Sequence, residues 1–212
     1  MKQVILAALL MLSGATGQPA KAETAIFAGG CFWCVESDFD KVKGVTSTIS
    51  GYAGGTLENP TYKNHQGHRE AVKIEFDPAV VSYDTLVSYF LRTIDVTDDG
   101  GQFCDRGESY TSEVFTTSAG QKTMAEKALA EAGKALGKKI ATPVRAATTF
   151  IMAEDYHQNY HLGENRVLTR FGYIKQSDAY ERYRKACDRN AQVRKVWGAA
   201  AYSLATGSQA LR

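Results

Sequence analysis

The sequence predicts an α+β fold, a mixed sheet with helices packed on it, and three observations carry that prediction. Short β-prone runs and helical runs follow one another in the order β-α-β-β-α-β. Some runs alternate apolar and polar residues with the period of a half-buried strand, while others place apolar residues three and four apart. Helical runs then gather at the C-terminal end.

Taken in order, residues 24–28 (TAIFA) are a short β-prone run that ends in Gly29-Gly30. Cys31 opens an amphipathic segment reaching about Lys43, so the start reads strand, tight turn, helix. Val45–Ala53 alternates apolar and small polar residues and reads as a strand. Residues 54–67 are rich in Gly, Asn, Pro and Thr and read as a long loop. Arg69–Phe76 (REAVKIEF) reads as a strand with one wet face, closed by Asp77-Pro78. Residues 83–94 carry Leu86, Val87, Phe90, Leu91 and Ile94 at helical spacing.

Residues 95–108 read as a polar, Gly-rich loop, and 109–116 as a strand. Ser118 with Gln121 three later is a capping-box pattern opening a helix to about Leu136. Residues 140–151 are β-branched around Pro143 and suit an edge strand. A short helix from Glu154 and helices near 177–188 and 191–204 complete the chain. The first six elements match a split βαβ arrangement, a ferredoxin-like two-layer sandwich with added C-terminal helices. One domain over residues 23–212 is expected, with a helical extension from about residue 176. No repeat or interdomain linker interrupts it.

Composition narrows the function. The 212 residues hold 44% hydrophobic and 23% charged residues, in the range of a globular protein rather than a disordered, collagen-like or polytopic membrane chain. A formal charge of +2 argues against a nucleic-acid binder. That excess charge belongs to the first 22 residues, which read as a signal peptide. Lys2 is followed by an apolar run at 4–12 and an A-x-A-like site at Ala20-Lys21-Ala22. The apolar run is shorter than the ~20 residues a spanning helix needs. Cleavage after Ala22 removes two lysines and no acid, leaving a formally neutral chain. The expectation is an exported, periplasmic protein, detached from the membrane after cleavage and monomeric.

Four cysteines, Cys31, Cys34, Cys104 and Cys187, are too few for a disulfide scaffold of this length. Cys31 and Cys34 sit at a predicted helix start. Free backbone N–H groups and the helix dipole there are expected to lower the pKa of Cys31 and prepare it as a nucleophile. Phe32 and Trp33 follow it, either as core residues or as an apolar wall for a methyl group. Zinc is disfavoured, because no second cysteine pair exists and His65, His68, His157 and His161 are dispersed. The last two are four apart, but HQNYH lacks the glutamate of a zinc protease, and they read as structural or rim residues.

Five blocks in order resemble the A type of peptide methionine sulfoxide reductase: GCFWCVE, GYAGG with NPTY, GHREAV, DRGESY and AEDYHQNY. The resemblance runs from about Ala25 to Tyr173. It implies that Cys31 attacks the sulfoxide sulfur and becomes a sulfenic acid. It also implies that Phe32 and Trp33 hold the S-methyl group, and that Glu70 protonates the sulfoxide oxygen. Tyr62 and Tyr110 would hold that oxygen, with Asp105 ordering polar contacts. The family acts on the S epimer. The chemistry asks for these types, since a sulfoxide oxygen leaves only when protonated and a carboxyl in an apolar setting keeps its proton. Residue type alone would not have selected two of 11 tyrosines. His68, two residues before Glu70, could hold the loop or tune the acid.

The sequence departs from the commonest family pattern by placing Cys34, not Gly, after Trp33. Candidate resolving cysteines are Cys34, then Cys187, then Cys104, and a relay through an outer pair with Cys187 is also open. No cofactor is expected, the reductant being an external thioredoxin-like dithiol protein. Two competitors are an exported thioredoxin-fold oxidoreductase, which leaves Glu70 and NPTY without a task, and a non-catalytic disulfide-bridged domain.

Overall fold

The computed structural model describes residues 21–204. The proposed leader, residues 1–22, therefore lies outside the described residues except for Lys21 and Ala22. The elements are β1 (Glu23–Gly29), α1 (Phe32–Phe39), β2 (Val45–Ala53), β3 (Arg69–Phe76), α2 (Tyr83–Leu91), β4 (Gly101–Gln102) and β5 (Asp105–Arg106). They continue with β6 (Ser112–Thr116), α3 (Ala119–Leu136), β7 (Val144–Ala146), β8 (Ile151–Met152), β9 (Arg166–Thr169), β10 (Gly172–Lys175), α4 (Gln176–Ala186) and α5 (Arg189–Trp197).

The main sheet has the order β7-β6-β1-β3-β2-β8. Its inner strands β6, β1, β3 and β2 pair antiparallel, and β7 joins β6 in parallel, so the sheet is mixed. This is the split βαβ order, with α1 joining β1 to β2 and α2 lying between β3 and β6. Central β1 is sealed on both faces. On the helical face Phe27 stacks on Phe90 of α2 at 4.7 Å and packs against Phe39 of α1. Ala125, Ala128 and Ala132, three and four apart, bring α3 into the same core. On the other face Ile26, Ala28, Ala71 and Phe115 are covered by Ala147 and Phe150.

Local signals are met by particular bonds. Ser82 accepts the amide hydrogen of Thr85 to start α2, and Ser118 accepts that of Gln121 to start α3. The capping box is modified: the Gln121 side chain accepts from Thr117 N–H and donates to Thr24 C=O, fastening α3 to β1.

Several expectations are corrected. The segment expected as one edge strand, 140–151, supplies both edges, β7 at one and β8 at the other. Residues 95–108 contain the β4–β5 ribbon, and Glu108–Tyr110 is a 3-10 turn rather than the start of β6. Two 3-10 turns, Asp155–His157 and Tyr160–Leu162, replace the short helix after Glu154. The β9–β10 hairpin carries no strong sequence signal and was not expected.

The C-terminal helices do not hang free. Arg184 of α4 makes a two-bond ion pair with Asp38 of α1, and Trp197 of α5 donates to the carbonyl of Ile94. No helix among the described residues is long and apolar enough to cross a membrane.

Candidate active site

The end of β1 and the start of α1 form one tight turn. Gly30 has φ +81, and a Cβ there would stand 2.6 Å from Cβ of Gln102. Both the left-handed backbone and the close approach exclude a side chain. Gly30→Ala is expected to destabilise the fold by roughly 2 kcal/mol or more, read as a lower denaturation midpoint. Cys31 caps α1, and its carbonyl accepts from the amides of Cys34 and Val35.

The thiols differ from expectation. The first free amide of α1, that of Phe32, donates to Oε2 of Glu70 at 3.0 Å. Cys31 hydrogen-bonds to Cys34 instead. That bond, burial and the charges of Cys34, Glu70 and Asp105 push the Cys31 thiol up. The same bond, aided by Arg189 and Arg184 against burial and Asp38, brings Cys34 down to about 7. Cys34 is thus the more acidic of the two thiols, and a proton is held between the pair once one has left. The helix N-terminus therefore does not lower Cys31: the bond to Cys34, burial and the surrounding negative charges prevail there.

Glu70 is 2% exposed on β3. Burial pushes its carboxyl up to about 8; the Phe32 amide works the other way, and Asp105 and Cys34 add to the rise. Its Oε1 has no hydrogen-bond partner among the described residues. Glu70 is therefore a neutral acid at pH 7 with one unengaged oxygen. It lines a cleft of about 320 Å³ together with Cys31, Phe32, Trp33, Tyr62, Tyr110 and Asp105. Burial followed by the neighbouring Glu70 charge raises both tyrosine hydroxyls, which therefore keep their protons. Burial raises Asp105 as well, against the pull of Arg189 and Arg170. All seven predicted contact residues meet in one cleft.

The aromatic wall is held from behind by Tyr160 and Glu154, to which the sequence assigns no role, and by His157, expected as a structural or rim residue. Trp33 stacks on Tyr160 with ring centroids 3.8 Å apart. Its indole N–H donates to Nδ1 of His157 at 3.2 Å. Burial holds His157 down at about 4, against the pull of Glu154, so it is neutral and Nδ1 is free to accept. Glu154 takes the Tyr52 hydroxyl on one oxygen and the Tyr62 amide on the other, each at 3.0 Å. AEDYHQNY, noticed as a block, is thus a bracket behind Trp33 and Tyr62.

His161 and His68 hold structure. His161 faces Glu36 and Asp40, whose hydrogen bonds outweigh burial and hold it up at about 9. His68 accepts from the Gly55 amide and donates to the Leu57 carbonyl, so it holds the loop.

Cys104 and Cys187 form a disulfide, their Cα atoms 5.2 Å apart, and Cys31 and Cys34 are free. The arm bearing Cys187 does lie over the site, despite its helical setting. All four cysteines line the cleft. The sulfurs of Cys104 and Cys187 cluster with the Asp105 carboxylate, but being bonded to each other they offer no thiolate to a metal.

A family model described as peptide methionine sulfoxide reductase matches residues 23–199. The chain belongs to the peptide methionine sulfoxide reductase family. Peptide methionine sulfoxide reductase MsrA 2 of Rhizobium meliloti is 48% identical over 186 residues, covering 87% of this chain and 88% of that protein. The MsrA 2 of Caulobacter vibrioides is 45% identical over 204 residues, covering 92% and 97%. Among solved structures, reduced Mxr1 from Saccharomyces cerevisiae superposes with TM-score 0.65 at 28% identity, over 74% of this chain and 94% of that one. Methionine sulfoxide reductase A of Corynebacterium diphtheriae gives 0.60 at 28% identity, over 75% and 85%. These relatives assign the chain to the A type, and membership makes it an oxidoreductase with a redox-active cysteine. The thioredoxin-fold and non-catalytic alternatives fall with that assignment.

Proposed function

We propose that the chain reduces the S epimer of methionine sulfoxide, peptide-bound and free, with Cys31 as nucleophile and Glu70 as acid. One observation carries this reading: a protonated, buried carboxyl group and a thiol pair share a cleft walled by Phe32 and Trp33.

The aromatic pair holds the S-methyl group, which sets the sulfoxide sulfur toward Cys31. Cys34 takes up the shared proton as Cys31 attacks. Glu70 delivers its proton through the unengaged Oε1 to the sulfoxide oxygen. The hydroxyls of Tyr62 and Tyr110 steady the charge building on that oxygen, and Asp105 orders the polar side of the cleft. Methionine leaves, and Cys31 becomes a sulfenic acid. The Cys34 sulfur then attacks the Cys31 sulfur, water departs, and a Cys31–Cys34 disulfide forms. Cys34 is the preferred resolver because it already contacts Cys31, whereas Cys104 and Cys187 occupy each other.

The cycle closes when a thioredoxin-like dithiol protein reduces the disulfide by exchange. We read the chain as monomeric and exported to the periplasm. The leader pattern and a preformed Cys104–Cys187 bond, suited to an oxidising compartment, support that reading.

With a racemic peptide sulfoxide and a thioredoxin-type reductant, the chain is expected to consume half the substrate and stop. Under the same conditions Cys34→Ser should release one methionine per chain and stall. Turnover of the R epimer would overturn the epimer assignment. Sustained turnover by Cys34→Ser would remove Cys34 from its role.

A further inference from the structure

The reaction gives no task to Arg189, which lines the cleft. Arg189 opens α5 and is 1% exposed. Its Nη2 donates to the carbonyl oxygens of Gly29 at 3.1 Å and Thr93 at 3.2 Å. Its Nε and Nη1 have no partner among the described residues. The guanidinium lies over the Phe103 ring at 4.8 Å and lines the cleft with Cys31 and Cys34. A Cβ built on Gly30 would stand 3.6 Å from Nη1, so the unengaged nitrogen lies beside the turn that presents Cys31.

A buried cation without a counter-charge is costly, and Arg184 and Arg69 avoid that cost. Arg184 meets Asp38 at 2.9 Å, and Arg69 meets Glu108 at 3.1 Å. Arg189 has no ion pair within salt-bridge distance among the described residues. Arg92, also fully buried, donates to the Ser203 carbonyl and does not line the cleft. Asp105, in the same cleft, is drawn by the Arg189 charge without coming within ion-pair distance, and the thiol pair is the second anion the cleft can form.

We propose that Arg189 is a positioning residue of the reaction: its buried guanidinium faces the Cys31–Cys34 pair and holds the negative charge the pair carries once one proton has left. The charged and titratable groups facing that pair support the assignment. Glu70 comes from β3, Asp105 from β5, Asp38 from α1 itself, Tyr180 and Arg184 from α4, and Tyr62, Tyr110 and Tyr160 from the turns around the cleft. Arg184 is already matched by Asp38. Arg170 also lines the cleft but lies over the Phe171 and Tyr183 rings, and Arg189 is the one of the three lining arginines whose buried Nε and Nη1 have no partner among the described residues. The Cys104–Cys187 disulfide stands two residues before Arg189 and one before Asp105, and so ties both sides of the cleft together.

The proposal rests on Cys31 and Cys34 being the working pair, yet its test needs no sulfoxide. The chain, with Cys104–Cys187 intact, is alkylated with iodoacetamide from about pH 5 to about pH 10, and modification at Cys31 and Cys34 is measured by peptide mass spectrometry. Arg189→Gln is expected to move the titration up by about one pH unit and to slow alkylation at neutral pH roughly fivefold. Arg189→Lys should recover most of the shift, with circular dichroism confirming the fold of each variant. A folded Arg189→Gln with an unmoved profile overturns the proposal. So does a shift of equal size in both variants, which would mark a packing effect. Should Arg189→Gln fail to fold, Arg189→Lys decides alone: a profile like that of the unsubstituted chain supports the proposal, and one displaced by a full unit overturns it. An Arg189-dependent profile in a chain that turns over no sulfoxide would sink the reductase reading and leave this one standing.

Discussion

Cys31→Ser is expected to abolish sulfoxide reduction, lowering turnover by at least about 10³-fold. The size follows from the chemistry. An alcohol at this position stays protonated at neutral pH and is a far weaker nucleophile toward sulfur than a thiolate. It cannot pass through a sulfenic acid, so no later step rescues it. The substitution keeps what holds the site together, since the Cys31 carbonyl still accepts from Cys34 and Val35 and the Phe32 amide still reaches Glu70. Loss of activity would therefore report the sulfur and not the fold. The check is single-turnover release of methionine by the Cys31→Ser chain, with its melting temperature compared to that of the unsubstituted chain. Release of one equivalent by the serine chain would move the nucleophile to another cysteine.

What was legible in the sequence follows the range of the forces involved. Strands β2 and β3 were readable to the residue because alternation is local. Helix lengths were overread where a local stop prevails: α2 ends at Leu91 as Arg92 and Thr93 turn back to the carbonyls of Tyr89 and Phe90, and α5 ends at Gly198 with φ +55. The β4 and β5 strands have two residues each, too few to show a period. In the site, the contact residues were named from family blocks, not from spacing. The supports were not, because Trp33 meets His157 across 124 positions and Arg189 meets Gly29 across 160. The thiol electrostatics were hidden for the same reason: the Glu70 and Asp105 charges that help push Cys31 up come from distant strands, and Glu70, 38 positions away from Phe32, also captures that residue's amide.

That capture also shapes what Glu70→Gln should do. Glutamine keeps the acceptor for the Phe32 amide and the volume of the side chain, but it has no acidic proton to give. A drop in kcat of about 10²- to 10⁴-fold is expected, the range of a positioned general acid. The pH profile supplies a sharper test. The working form of Glu70 is protonated and its carboxyl titrates at about 8, so the rate of the unsubstituted chain should fall as pH rises through about 8. The rise on the acid side, set by the thiol pair near 7, should persist in the variant, while the fall near 8 should vanish. Stability gives an independent sign. Glu70 is raised from 4.5 to about 8, so between those values the folded chain holds a proton that the unfolded chain has released. Folding then loses stability as pH climbs through that window. Glutamine removes the loss, and the melting temperature of Glu70→Gln relative to the unsubstituted chain should increase from pH 4.5 to 8. Near-native kcat in the variant, or an alkaline limb that survives the substitution, would assign the proton to another group.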